Sequence, residues 1–141
     1  MTGSVTLCQI TDDVIDVEAH LGAVRTAPGG AEVLFCGVVR DHDDGRTVTA
    51  LEYQGHPSAA SVLADVAARF SARQEVLAVA VSHRIGSLQI GDVALVAAVS
   101  TAHRGEAFAT CAALVDEVKR RLPIWKRQVF ADGTDEWVNC P

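Results

Sequence analysis

Lysine is almost missing from this chain. Only Lys119 and Lys126 occur in 141 residues, while the other ten basic residues are arginine. Cysteine is sparse too, and Cys8, Cys36, Cys111 and Cys140 include no pair close enough for a CxxC metal or redox motif. Three of the four fall in apolar stretches and read as reduced, buried core thiols rather than catalytic ones. No apolar run reaches transmembrane length, and the acidic, polar N-terminus does not read as a signal peptide. The expected setting is therefore the cytoplasm, away from membranes. No Walker or dinucleotide glycine loop is present, and no Ser/His/Asp arrangement stands out. His20, His56 and His83 show no metal-ligand spacing with one another or with a cysteine, so they read as structural or surface residues and no metal is expected.

What is present suits one compact domain over residues 1–141, with 49% hydrophobic residues to build a core. A net charge of −6 argues against general nucleic-acid binding. The charge is uneven, however. Residues 1–36 carry five acids against Arg25 alone, whereas residues 84–127 carry seven Lys/Arg against four Asp/Glu. A locally basic pocket on an acidic protein suits a small anionic ligand.

Hydrophobic periodicity and turn signals divide the chain into elements. Strands are expected over 5–10, 31–40, 48–54, 76–83, 94–100, 124–130 and 136–138. An acidic helix is expected over 12–24 with Thr11 or Asp12 as its cap, a second helix after Pro57, and a long third helix over 103–122 ended by Pro123. Residues 41–45 read as a polar loop and 85–92 as a hairpin-like stretch. Irregular alternation with several hairpins points to an α+β fold with mostly antiparallel sheet.

The two lysines bracket the segment Lys119-Arg120-Arg121-Leu122-Pro123-Ile124-Trp125-Lys126. On a helical wheel with Phe108 at the origin, Cys111, Ala112, Val115, Val118 and Leu122 form one apolar stripe, and Lys119 falls inside it. Two readings stand for Lys119. It is either a stem that snorkels from the core edge, or a partly desolvated amine able to act as acid, base or nucleophile. At the other end of the same helix, His103 and Arg104 sit beside unpaired first-turn N–H groups, an arrangement that suits a phosphate or carboxylate. Arg104 and Lys119 are 15 residues apart, roughly 22 Å at 1.5 Å per residue. One pocket within one subunit cannot easily use both ends, so a two-fold dimer with a shared site is expected.

The segments Phe35-Cys36-Gly37-Val38-Val39-Arg40, Leu51-Glu52-Tyr53, His83-Arg84-Ile85-Gly86-Ser87-Leu88 and Ile90-Gly91-Asp92 continue into His103-Arg104-Gly105-Glu106-Ala107-Phe108, Lys119, and Pro123-Ile124-Trp125-Lys126-Arg127. In this order they resemble the large, catalytic subunit of molybdopterin synthase, over about residues 31–138. The resemblance implies an α/β-hammerhead fold and a homodimer within a heterotetramer, each end carrying a small ubiquitin-like sulfur-carrier subunit with a Gly-Gly C-terminus. The implied substrate is cyclic pyranopterin monophosphate, which receives two sulfur atoms from the carrier thiocarboxylate to form a dithiolene. No metal or other cofactor is implied on the large subunit. Lys119 and Lys126 match the family's catalytic lysines, and Arg40, His103 and Arg104 its anion-binding positions. Val38, Val39, Arg127 and Gln128 flank these as further substrate-binding residues, with Gln128 standing where the family often has an acid. Two other readings remain beside the enzyme: a non-catalytic module that binds a ubiquitin-like tail, and a structural dimer whose basic corner forms surface ion pairs.

Overall fold

The computed structural model describes residues 3–138. Twelve elements follow one another: β1 (Ser4–Thr11), α1 (Val17–Ala23), β2 (Ala31–Val38), β3 (His42–Asp43), β4 (Arg46–Gly55), α2 (Ala59–Ser71), β5 (Val76–Arg84), β6 (Gly86–Leu88), β7 (Val93–Thr101), α3 (Arg104–Arg121), β8 (Ile124–Phe130) and β9 (Asp135–Val138). The first sheet has the order β1-β5-β7-β2, with β1 parallel to β5 and the other pairs antiparallel. The second has the order β3-β4-β8-β9, and β6 also pairs with β4. The α+β, mostly antiparallel architecture and the long helix in the C-terminal half are those expected from the sequence.

The two central strands of the first sheet are buried on both faces, which explains why β5 and β7 read as nearly continuous apolar runs rather than alternating ones. Val79, Val81, Ala97 and Val99 face the main core with Leu63 and Phe70 of α2 and Leu114 and Val118 of α3. Ala78, Ala80 and Ala98 point the opposite way, toward Val24 at the end of α1. Short side chains on that face let a seven-residue helix lie close against it.

Several local expectations need correction. α1 begins at Val17, not Asp12, because Asp16 is the cap: its Oδ1 accepts the Ala19 N–H at 3.0 Å from an extended backbone (φ −82°, ψ 100°) that no helical residue could hold. The polar loop at 41–45 is a hairpin. His42 pairs with Thr47 and Asp43 with Arg46 around Asp44-Gly45, both at positive φ (50° and 75°), the backbone that an Asp-Gly turn supplies. The stretch 85–92 links two neighbouring antiparallel strands, but it leaves their sheet at Gly86 (φ 93°) and lends β6 to the second one. On α3 the buried stripe is Ala107, Thr110, Cys111, Leu114, Val115 and Val118, whereas Phe108 is 63% exposed. The buried face thus lies to one side of the expected stripe, and Lys119 stands at its margin rather than inside it and is itself exposed. Of the cysteines, Cys111 is buried and Cys8 and Cys36 are half-buried, while Cys140 lies outside the described residues.

Candidate active site

β2 ends at Val38, and the chain is then pinned: Val39 donates its N–H to the Asp92 carbonyl and accepts from the Gly91 N–H, both at 2.9 Å. This fixes where Arg40 leaves the sheet. β8 runs antiparallel to β4 with Lys126 opposite Tyr53. Lys119 arrives from the last turn of α3, where a cation also complements the negative helix end. His83 arrives from the end of β5. These elements enclose a cavity of about 220 Å³ lined by Arg40, Tyr53, His83, Lys119 and Lys126, with Val38 at its side.

Three cationic side chains therefore converge on one small space. Asp43, on the short hairpin, sets a carboxylate beside two of them, Arg40 and Lys126. It accepts from Arg40 at 3.3 Å and from Gln128 Nε2 at 2.8 Å. The Gln128 hydrogen bond, then the charges of Lys126, Arg40 and His42, hold its pKa below the usual aspartate value. Neighbouring basic residues are taken up elsewhere: Arg120 pairs with Glu117, and Arg121 with Asp65 at 2.9 Å. Burial pushes the Cys8 and Cys36 thiols up and raises Cys111 to about 11, so these cysteines are poor nucleophiles at neutral pH.

The nine site residues expected from the sequence divide sharply. Arg40, Lys119, Lys126 and Val38 come together at the cavity. Val39 is buried, with both backbone groups engaged. Arg127 follows Lys126 on a strand, so it points to the other face, where it binds Asp135 at 2.7 Å. Gln128 is only 3% exposed and reaches Asp43 and Glu136 rather than the cavity. His103 and Arg104 start α3 at its far end, where His103 borders a separate cleft with Glu106 and Glu75. Sequence reasoning missed Tyr53 and His83, because only the meeting of β4, β5 and β8 brings them to this place. The other buried histidine, His20, is structural, bonded to the Asp16 carbonyl at 2.7 Å and to Ser82 Oγ at 2.6 Å.

Residues 10–121 match the family described as MoaE protein. The chain belongs to the MoaE family. Among its relatives, molybdopterin synthase catalytic subunit 1 of Mycobacterium tuberculosis is 39% identical over 137 residues, covering 96% of this chain and 92% of the relative. The molybdopterin synthase catalytic subunit of a Nostoc species is 42% identical over 124 residues, covering 86% of this chain and 74% of that one. Among solved structures, molybdopterin synthase from Staphylococcus aureus superposes with a TM-score of 0.83 at 30% identity, covering 92% of this chain and 94% of that one. Among the described residues no helix is long and apolar enough to cross a membrane.

Proposed function

We propose that this chain is the catalytic subunit of a molybdopterin synthase, and that it transfers sulfur from the thiocarboxylated C-terminus of a small ubiquitin-like carrier to cyclic pyranopterin monophosphate. The observation that carries this reading is the convergence of Arg40, Lys119 and Lys126 in one cavity of a MoaE-family fold. The substrate phosphate and the carrier's terminal group are both anionic, and three preorganised cations suit them. They also stabilise charge that develops as sulfur attacks and oxygen departs. Lys119 is the residue that moves protons, and Lys126 and Arg40 hold the anionic groups. The nucleophilic sulfur comes from the carrier, which fits a subunit whose own described thiols are held protonated. The cytoplasmic setting expected from the sequence belongs to the same proposal.

The site is shared between two copies of the chain. His103 and Arg104 lie too far along α3 to reach the Lys119 cavity of their own subunit. A two-fold axis near Cys111 and Ala112, midway between Arg104 and Lys119, brings one copy's helix start beside the other's helix end. The surface at that midpoint is suited to such packing. Exposed Phe108 and Ala112 border a cleft of about 370 Å³ with Val33 and Phe35 of β2, and β2 is an edge strand of the first sheet. An open edge beside an apolar cleft calls for cover.

A product assay tests the chemistry. Purified protein, thiocarboxylated carrier and cyclic pyranopterin monophosphate are mixed, and the dithiolene pterin is sought by mass spectrometry. The expected result is product with the native chain and a loss of at least about 100-fold in Lys119→Ala, the scale of a lost proton-transfer group. Undiminished product with that variant would reject the assignment of Lys119. Tight carrier binding without product from the native chain would make the protein a binding module instead.

A further inference from the structure

His83 lines the cavity, yet the reaction proposed above does not use it. Its ring is 1% exposed and meets Tyr53 edge-on at 4.9 Å between centroids. Nδ1 lies 2.7 Å from the backbone carbonyl of Arg84. A carbonyl can only accept, so the proton sits on Nδ1 and Nε2 carries a lone pair in the neutral ring. Burial, against the contrary pull of the Arg84 carbonyl and reinforced by the charge of Lys119, lowers the pKa of His83 from 6.5 to about 4. The ring is therefore neutral at physiological pH.

Nε2 is then the accepting atom of the ring, and His83 lines the cavity. The cationic groups around that cavity, Arg40, Lys119 and Lys126, can only donate. An imidazole fixed as an acceptor among donors is complementary to a ligand that presents an N–H or O–H close to its anionic oxygens.

We infer that His83 is a further substrate-binding and specificity-determining residue, whose Nε2 accepts a hydrogen bond from an N–H or O–H of the molecule that Arg40, Lys119 and Lys126 hold by its anionic oxygens. This rests on the reading of the cavity as the substrate site. A ligand with the same phosphate but no donor at that position leaves Nε2 buried and unmatched, and is rejected for that reason. A protonated ring would lose the acceptor and repel Lys119.

The test compares His83→Phe and His83→Gln with Lys119→Ala in steady-state turnover of cyclic pyranopterin monophosphate. His83→Phe is expected to raise KM about tenfold with carrier affinity unchanged, the scale of one unmade buried hydrogen bond. His83→Gln, which restores an acceptor, is expected to recover part of the loss. Native KM in His83→Phe, while Lys119→Ala abolishes turnover, overturns the role of His83 and leaves the cavity reading standing. Native turnover in Lys119→Ala overturns both. If the variants fail to fold, the native protein labelled with 15N-histidine decides. The Nε2 resonance of the Nδ1–H tautomer should shift when substrate is added and stay in place with inorganic phosphate. An unmoved resonance with bound substrate overturns the inference.

Discussion

His83 is also the residue whose environment makes the sharpest thermodynamic prediction. Its folded pKa of about 4 lies below the ordinary value of 6.5. Between these values the unfolded chain binds more protons, so stability rises with pH across this window. The contribution is complete above about 6.5 and is lost as pH falls through the window to about 4. A shift of this size corresponds to about 3 kcal/mol at 1.36 kcal/mol per unit. Asp43, Asp65 and Asp132 are held low by hydrogen bonds and cations, so their contributions fall away only below the usual aspartate range, in a separate window. Urea denaturation between pH 7 and 4.5 should show the native protein losing stability while His83→Gln follows a flatter line. Parallel lines for the two proteins would contradict the assignment. In the sequence, His83 is one histidine among five with no partner spacing. Its importance depends on Arg84's carbonyl, Tyr53's ring edge and Lys119, and none of these contacts follows from local pattern.

Among the elements, α3 shows what periodicity reveals and what it conceals. The helix, its start at the His103 cap and its end before Pro123 are legible, because an apolar 3.6-residue repeat runs into a proline. The direction of its buried face differs from the expected one: a wheel with Phe108 at its origin puts the apolar stripe on that side, whereas Phe108 is 63% exposed. Size alone does not decide burial for a side chain that a second subunit can cover. The helix itself supplies the check. Leu114 is fully buried and its change to alanine should cost the subunit about 2–5 kcal/mol, whereas Phe108→Ala should cost the monomer well under 1 kcal/mol, both read by chemical denaturation. Equal losses would mean that Phe108 belongs to the subunit core after all. The strands were legible from their apolar runs. The start of α1 was not, because Asp12, Asp13 and Asp16 are all competent caps and only the structure selects Asp16. The Asp44-Gly45 hairpin was overlooked among polar neighbours although its turn residues are a recognised signal. This hairpin carries Asp43 to Arg40 and Gln128.

At the scale of the whole molecule, the two sheets and α3 set one cluster of cations at one end of the long helix and another at the far end. The sequence alone contained this problem, in the 15 residues between Arg104 and Lys119. It also contained the answer of a two-fold partner, but not the exposed β2 edge and Phe108 cleft that give the partner a place to sit. In the proposed function, one active site draws on two copies of the chain. The most direct measurement mixes Lys119→Ala and Arg104→Ala subunits, unfolded and refolded together, with carrier and cyclic pyranopterin monophosphate. Each homodimer lacks a group in both of its sites, whereas each mixed dimer regains one intact site. A statistical mixture should therefore recover about a quarter of native turnover while the separate variants stay near zero. If the mixture remains as inactive as its parts, Arg104 and Lys119 do not meet across a two-fold axis and the shared-site account is wrong.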